Sequence, residues 1–274
     1  MVSLFCCGQN FVLLREKGVI MGKIICFSNQ KGGVGKTTTA INLAAFVAKK
    51  GRKSLLLDFD PQGNSTSGFG LEKNQLELTC YDFLMGDCEA SDVICPTMVE
   101  NLSILPCNID LAAAEVDLVS VPSRESVLKN RLAEIRNDYD YIFIDCPPSL
   151  GLLTLNALVA SDSVVIPIQS EFFALEGLSQ LMNTIKIVKM RLNAKLNING
   201  VVLTMYDTRT TMSKQVTAEI YKYFGEKMYT VPIPRNIRLV ESPSFGVPIF
   251  LHSPTSSGAN AYSVLADQFL QREE

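Results

Sequence analysis

Residues 29–39, NQKGGVGKTTT, place glycine, lysine and threonine in an order suited to binding a polyphosphate. An apolar, β-branched run (23–28, KIICFS) precedes them and a helical pattern (40–48, AINLAAFVA) follows, so the order is strand, glycine-rich loop and helix. In such a loop the backbone N–H groups surround the phosphates, and the helix N-terminus adds positive potential. We expect Lys36 to reach the β- and γ-phosphates and the Thr37 hydroxyl to bind Mg²⁺.

The loop departs from the usual pattern, G-x-x-x-x-G-K-[ST], at its first position, where Gln30 replaces glycine. A second lysine, Lys31, follows at once. The alternative to a nucleotide site is a surface lysine in a glycine-rich turn. The coincidence of strand, loop, Lys-Thr pair and helix favours the nucleotide site, and so do two acidic segments further along the chain.

The first acidic segment is 54–64, SLLLDFDPQGN, an apolar strand pattern that ends in two carboxylates and a turn. An apolar run of this length suits a strand buried on both faces of a parallel sheet, and ligands bind at the carboxyl ends of such strands. Alternate strand residues face the same way, so Asp58 and Asp60 start on one side. One is suited to hold a Mg²⁺-bound water and the other to position the attacking water. The alternative is that Asp60 only starts a turn with Pro61.

The second acidic segment is 139–149, YDYIFIDCPPS, again a β-rich run that ends in an acid. Asp145 is the expected Walker-B carboxylate, which lies across the metal from the loop. Cys146 beside it is the type of small residue that is usually buried.

Together these segments resemble the deviant Walker-A ATPases, and within them the ParA/Soj-type partitioning ATPases. The matching segments are 31–38 (KGGVGKTT), 58–64 (DFDPQGN), 145–149 (DCPPS), 169–178 (QSEFFALEGL) and 233–239 (IPRNIRL). The resemblance covers residues 21–270 and implies a P-loop NTPase that hydrolyses ATP with Mg²⁺.

The resemblance also implies roles for single residues. Lys31 matches the signature lysine, which reaches the phosphates bound to the partner subunit of a dimer, and with Lys36 and Asp60 it forms the expected catalytic set. Thr37, Asp58 and Asp145 match the metal-side residues, the acids acting through water. The implied nucleotide-binding residues are Lys31, Gly32, Gly33, Val34, Gly35, Lys36, Thr37, Thr38, Pro234 and Asn236, the last two at the adenine.

Family members of this type dimerise on binding ATP and bind double-stranded DNA without sequence preference. Arg209 and Arg238 fall where such members carry DNA-binding arginines. The resemblance further implies stimulation by a ParB-type protein, a cytoplasmic, nucleoid-associated location and no stable membrane association.

Helical and strand patterns alternate over the 274 residues without a visible repeat or linker. We therefore predict an α/β fold, a mostly parallel twisted sheet flanked by helices, in a single ATPase domain over 21–274. The predicted helices are Cys80–Met85, Ile109–Val119, Pro122–Asn137, Ala174–Arg191, Met212–Phe224 and Ser257–Arg272. The further predicted strands are Ser163–Ile168 and Ile198–Met205.

The net charge of −3 is not that of a protein that coats DNA through bulk charge. DNA binding then needs a local basic patch, and the alternative is a set of scattered, solvated cations. The candidates are Lys186, Lys189, Arg191, Lys195, Arg209, Lys214, Arg235 and Arg238.

The eight cysteines show no metal-binding spacing, and no secretory signal precedes them, which favours reduced thiols. The single histidine, His252, has no partner cluster, and we assign it no catalytic role. Residues 1–20 lack the basic start of a signal peptide. We expect them to be a start-site misassignment or a disordered extension, and acylation of Cys6 or Cys7 is the alternative.

Two other functions compete with the partitioning ATPase. A MinD-like membrane-cycling ATPase needs a basic, amphipathic C-terminal helix, whereas residues 261–274 are poor in lysine and end in two acids. An iron–sulfur reductase ATPase needs two cysteines per subunit at a dimer axis. Cys107 and Cys146 are available, but their surroundings do not match that pattern.

Overall fold

Seven strands form one sheet in the computed structural model, which describes residues 21–171 and 174–273. The strands are β1 (Lys23–Phe27), β2 (Ser54–Asp58), β3 (Cys95–Pro96), β4 (Leu102–Leu105), β5 (Tyr141–Asp145), β6 (Ser163–Gln169) and β7 (Asn197–Thr204). Their order across the sheet is β3-β4-β2-β5-β1-β6-β7. All neighbouring pairs are parallel except the short edge pair of β3 and β4. The predicted α/β fold with a mostly parallel sheet is confirmed.

Helices connect the strands. The α-helices are α1 (Lys36–Lys49), α2 (Asn64–Gly68), α3 (Cys80–Met85), α4 (Ala90–Val93), α5 (Ala114–Asp117), α6 (Val127–Ile135), α7 (Leu152–Ala160), α8 (Ala174–Arg191), α9 (Thr211–Phe224), α10 (Ile237–Glu241), α11 (Ile249–His252) and α12 (Ser257–Glu273). Short 3-10 helices cover Lys73–Gln75, Ile109–Ala113, Leu118–Ser120, Arg124–Ser126, Arg136–Asp138, Gly225–Lys227 and Ser242–Phe245.

Two predicted helices are shorter than expected. The segment predicted as Ile109–Val119 is helical in three pieces, and only its centre, α5, is α-helical. In the segment predicted as Pro122–Asn137, Ser123 has a φ of 53°, in the left-handed region, so α6 starts only at residue 127. At Arg136 the α-helix passes into a 3-10 turn, and the Arg136 guanidinium donates to the Gly22 carbonyl and pairs with Asp162.

Other observed helices and strands differ from those that hydrophobic periodicity predicts. The predicted strand Ile198–Met205 ends one residue early because Met205 has a φ of 49°. Helix α1 starts at Lys36, four residues before its apolar pattern begins. Helix α7 was not predicted, because most of its residues are buried and it has almost no polar face to produce a helical period.

The sheet is buried on both faces, as its continuous apolar strands predict. On one face Ile25 and Phe27 join a core with α1 and α12, and on the other Ile24 and Cys26 join a core with α6, α7 and α8. Successive residues of β1 thus alternate between two cores.

Phe269 of α12 connects the first core to β5, since its ring lies 5.4 Å from that of Tyr141 and 5.6 Å from that of Phe143. It is fully buried. We expect Phe269→Ala to lower the free energy of unfolding by about 3–5 kcal/mol, because it leaves a cavity beneath the sheet. Urea denaturation measures this. The matched control is Phe245→Ala, at a ring that is 67% exposed, where a loss above about 1 kcal/mol would contradict the burial argument.

Candidate nucleotide-binding site

Three parallel strands bring the predicted site residues together at their carboxyl ends. In the register of the sheet, Asp145 at the end of β5 lies opposite Phe27 of β1 and opposite Asp58 of β2. The glycine-rich loop begins directly after β1. The loop and both acids are therefore neighbours, as expected for residues that follow parallel strands.

The loop needs its glycines at two positions. Gly33 and Gly35 have φ values of 72° and 82°, in the left-handed region that disfavours other residues. The loop is held from β7, where the Thr204 hydroxyl donates to the Val34 carbonyl at 2.7 Å, and from α1, where the Thr39 hydroxyl donates to the Gly35 carbonyl at 2.7 Å. Helix α1 has no side-chain cap, so its first N–H groups face the loop.

The two lysines of the loop point in different directions. Lys36 is 6% exposed and its Nζ donates to the Lys31 carbonyl at 3.3 Å. Burial lowers the pKa of Lys36, and the charges of Asp145, Cys146 and Asp60 oppose that shift. Lys31 is half-buried, and its Nζ reaches outward to Glu171 at 2.8 Å.

Asp145 is fully buried and only half satisfied. Its Oδ2 accepts from the Ser65 hydroxyl at 2.8 Å, while its Oδ1 has no hydrogen-bond partner. Burial raises the pKa of Asp145 to about 6, and the hydrogen bond from Ser65 and the nearby Thr37 hydroxyl oppose the shift. An orphaned carboxylate oxygen beside the Thr37 hydroxyl fits Mg²⁺, which takes oxygen ligands and keeps several waters.

Asp58 is more engaged than the sequence indicates. Its Oδ2 accepts from both the backbone N–H and the hydroxyl of Thr66, each at 2.7 Å, and Oδ1 accepts from the Asp60 N–H at 3.4 Å. Burial, and then the charge of Asp145, raises the pKa of Asp58 to about 8. This carboxyl group therefore anchors the first turn of α2 and favours its neutral form at neutral pH.

Asp60 lies in the turn after β2 and is 6% exposed. Its Oδ1 accepts from the Gln62 N–H at 3.0 Å, an interaction typical of a turn, which was the alternative considered for this residue. Its charge nevertheless acts on both Lys36 and Asp145. Among the described residues no cluster of three or more His, Cys, Asp or Glu side chains has metal-binding geometry.

Sequence reasoning missed three supporting residues. Ser65 and Thr66, which hold the two buried acids, follow the acidic segment directly, so hydroxyls just after an Asp-Pro turn were the available signal. Glu115 accepts from the N–H groups of Leu152 and Leu153 at 2.9 and 3.3 Å and thus fixes the start of α7 after the Asp145 segment. No local pattern predicts a contact between residues so far apart.

The late loop, with the predicted adenine residues Pro234 and Asn236, lies beside the glycine-rich loop. Pro234 and Asn236 line a cavity of about 430 Å³ that Gly35 and Thr38 also line. The Asn236 amide donates to Ser257 at 2.8 Å, and its oxygen accepts from the Arg238 N–H at 2.8 Å. Asn236 is therefore the N-cap of α10 as well as a cavity residue.

Both predicted DNA-binding arginines are exposed and paired with a carboxylate. The Arg209 guanidinium donates to Asp207 at 2.9 and 2.7 Å, and Arg238 donates to Glu241 at 2.8 Å. These contacts hold the pKa of each carboxyl group below its ordinary value. Glu241 also lies 3.4 Å from the His252 ring nitrogen.

The eight basic candidates do not form one patch. Arg209 follows the carboxyl end of β7, whereas Lys195 precedes the amino end of the same strand. Lys186, Lys189 and Arg191 lie in the last turns of α8 before that amino end. The candidates thus divide between the carboxyl-end side and the amino-end side of the sheet, which corrects the expectation of a single surface.

The cysteines of the described segments are free, as expected for reduced thiols. Cys107 and Cys146 are fully buried, which argues against an iron–sulfur cluster shared at a subunit surface. No helix in the described part of the chain is long and apolar enough to cross a membrane.

Comparison with known proteins gives the class. A family model described as an AAA domain matches residues 22–198. A cobyrinic acid a,c-diamide synthase structure from Mycobacterium smegmatis, with a bound ATP analogue and magnesium, superposes with a TM-score of 0.80 and 38% identity over 91% of this chain and 95% of that chain. The fold and the site define a P-loop ATPase, with ATP and Mg²⁺ as its cofactors.

Two relatives give the family. The chain is 56% identical to the sporulation initiation inhibitor protein Soj of Bacillus subtilis (strain 168) over 248 residues, 90% of this chain and 98% of the relative. It is 50% identical to the chromosome partitioning protein ParA of Myxococcus xanthus over 259 residues, 94% of this chain and 92% of the relative. The chain belongs to the Soj/ParA family of chromosome-partitioning ATPases.

The two buried acids predict a pH dependence of folding. Folded-state pKa values near 8 for Asp58 and near 6 for Asp145 lie above the ordinary 3.8. The folded protein therefore keeps protons that the unfolded chain has lost. The free energy of unfolding falls as pH rises from the ordinary pKa to the raised one, by up to about 1.4 kcal/mol per pH unit for each such proton. We expect urea denaturation of the nucleotide-free protein to show this fall.

The variant that tests the assignment is Asp58→Asn, which keeps an acceptor for Thr66 but has no proton to lose. It should flatten the decline between pH 6 and pH 8, the interval between the two raised pKa values. Asp207→Asn, at a carboxyl group whose pKa is lowered, is the control and should leave the decline unchanged. An undiminished decline in Asp58→Asn would show that Asp58 is not its source.

Proposed function

We propose that the protein is an ATP-driven DNA-partitioning switch: ATP binding joins two subunits, the dimer binds DNA without sequence preference, and hydrolysis separates it. The observation that carries the proposal is the pair of lysines in one loop. Lys36 is buried toward Asp145, whereas Lys31 extends outward to Glu171. A single bound nucleotide needs the first lysine, whereas the second, paired with Glu171 at the surface, is placed to act on a neighbouring subunit.

In this mechanism Lys36 and the N–H groups of residues 32–38 hold the phosphates, and Pro234 and Asn236 contact the adenine. The Thr37 hydroxyl and the orphaned Oδ1 of Asp145 would hold Mg²⁺, the acid through water. The ion neutralises charge on the β- and γ-phosphates when bound.

Asp60 positions the water that attacks the γ-phosphate in line. Its carboxylate lies in the turn after β2, is almost fully buried, and acts on Asp145 through its charge. The described site contains no histidine, and His252 lies at α11 instead. Hydrolysis is accordingly slow until a partner accelerates it.

Asp58 has a supporting part in the proposal. With both oxygens engaged by the first turn of α2 and by Asp60, it supports the metal side by fixing Thr66 at the start of α2. Among the described residues, Asp145 carries the only fully buried carboxylate oxygen without a hydrogen-bond partner.

The dimer forms when Lys31 of each subunit leaves Glu171 for the phosphates in the other. Arg209 and Arg238 then bind DNA phosphates from both subunits, so that affinity rises with dimerisation. A ParB-type protein resets the switch by stimulating hydrolysis. The support is the family membership, since one relative is named a chromosome partitioning protein.

We further propose a cytoplasmic, nucleoid-associated protein with one ATPase domain over 21–274. Residues 1–20 lie outside the described residues, and so do the two phenylalanines at 172–173 of the 169–178 segment. The MinD-like alternative needs a basic, amphipathic C-terminal helix. In α12, Tyr262, Leu265 and Phe269 are instead buried in the core and cannot present an apolar face to lipid.

The catalytic assignment is tested by Asp60→Ala. Without a positioned water we expect the ATPase rate to fall at least about 100-fold while ATP binding persists. The ATP dimer should then stay on DNA, visible as a long-lived complex in a dissociation assay with excess competitor duplex. Asp87→Ala, at an exposed acid, is the control. Normal turnover in Asp60→Ala would refute the role of Asp60.

The DNA assignment is tested by binding to a random-sequence duplex with no nucleotide, ADP and ATP, at two salt concentrations. We expect binding with ATP that weakens as salt rises, because phosphate contacts release counterions. Arg238→Glu should weaken it at least about tenfold and reduce the salt slope. Dimerisation on ATP, followed by sedimentation, should be unchanged.

The control for that variant is Lys222→Glu, a charge reversal in a pair of the same spacing, since Lys222 pairs with Glu219 as Arg238 pairs with Glu241. Equal losses in both variants would mean that total charge, not Arg238, determines the affinity.

A further inference from the structure

The C-terminal half of α8 has an excess of positive charge that the proposed function does not use. Residues 177–206 contain four cations and no acidic residue, in a chain of net charge −3. Within the described residues, none of Lys186, Arg191 and Lys195 forms an ion pair. Lys189 donates to the neutral Asn197 side chain at 3.2 Å.

Apolar side chains lie exposed among these cations. Ile187 is 49% exposed, Met190 is 64% exposed and Leu192 is 39% exposed. The inward face of the helix is formed by other residues, which are buried in the core: Leu178, Leu181, Ile185 and Val188. We call the exposed set the α8 surface; it comprises Lys186, Ile187, Lys189, Met190, Arg191, Leu192 and Lys195.

Helical spacing orders this surface. Ile187 and Met190 are three residues apart and share an outward strip, and Lys186 and Arg191 fall on its two sides. A narrow apolar strip between cations is the pattern of a helix that lies at a membrane–water boundary, where apolar side chains enter the lipid and cations bind the headgroups.

The surface is held in place by the loop that follows it. The Asn193 amide donates to the carbonyl groups of Leu158, Val159 and Ser161 at 3.2, 3.1 and 2.7 Å, at the end of α7. Lys189 and Lys195 are therefore presented by a fixed helix end, which lowers the entropy lost on binding.

We propose that the α8 surface binds anionic lipid membranes, weakly and reversibly. Each Lys or Arg near an anionic bilayer strengthens binding on the order of fivefold, so four cations give a contact that is measurable but not permanent. Such a contact is compatible with the expectation of no stable membrane association. It also leaves the nucleotide site free, because that site lies at the carboxyl ends of the strands and the α8 surface lies near the amino end of β7.

The exposed apolar residues favour lipid over DNA as the partner. Phosphate contacts on a duplex use cations and gain nothing from Ile187 or Met190 at the same place. The arginines assigned to DNA, in contrast, follow the carboxyl end of β7.

The test is sedimentation of the full chain with vesicles of phosphatidylcholine alone or mixed in equal parts with phosphatidylglycerol, at low and high salt. We expect binding to the anionic vesicles at low salt only. Lys186→Glu with Arg191→Glu should weaken it on the order of 20-fold, from the loss of two cations. The matched control is Lys129→Glu with Lys222→Glu, the same charge change on α6 and α9, and it should bind as the parent does.

A second variant separates the apolar contribution. Ile187→Ser with Met190→Ser should weaken binding to anionic vesicles and leave duplex binding unchanged. ATPase activity reports correct folding of every variant, since none of these residues is in the nucleotide site. Equal binding to both vesicle types, or none to either, would overturn the proposal. Weaker duplex binding by the charge-reversed α8 variant, without vesicle binding by the parent, would assign the surface to DNA instead.

Discussion

The burial of Lys36 beside Asp145 is the interaction on which the rest of the site depends. Removing an ammonium group from water is unfavourable, and it lowers the pKa of Lys36 even with three negative or polarisable neighbours. Asp145 retains an oxygen without a partner. In the proposed function, a polyphosphate and Mg²⁺ would complete this buried cation and this half-satisfied carboxylate. The stability of this end of the sheet and its affinity for nucleotide would then be coupled.

The register of the sheet sets the position of Asp145 in that interaction. Asp145 lies in register with Phe27 and Asp58, so three chain segments reach the site from adjacent parallel strands. Hydroxyl groups then hold each part: Thr204 the loop, Ser65 the carboxylate of Asp145 and Thr66 that of Asp58. Short polar side chains suit this purpose, because they satisfy buried acceptors without adding charge.

The sequence predicted the parts of the site that local patterns encode. Glycines before Lys36 and acids after apolar strands are local features, and they determined the fold class and the position of the site. The engagement of Asp58 by Thr66 and the fixing of α7 by Glu115 depend on contacts between distant segments. Helix α7 has almost no polar face, so periodicity did not predict it. The basic residues were treated as one group in the sequence, although strand β7 separates those before its amino end from those after its carboxyl end.

Under the proposed function, the ion pairs of Arg209 and Arg238 would limit DNA binding by a single subunit. Asp207 and Glu241 already occupy the guanidinium groups that a DNA phosphate would need. Each phosphate would therefore have to compete with an internal carboxylate. Two linked subunits would offer twice the contacts at one entropic cost, so the proposed dimer would bind DNA more tightly than one subunit. Its separation after hydrolysis would return each subunit to weak binding.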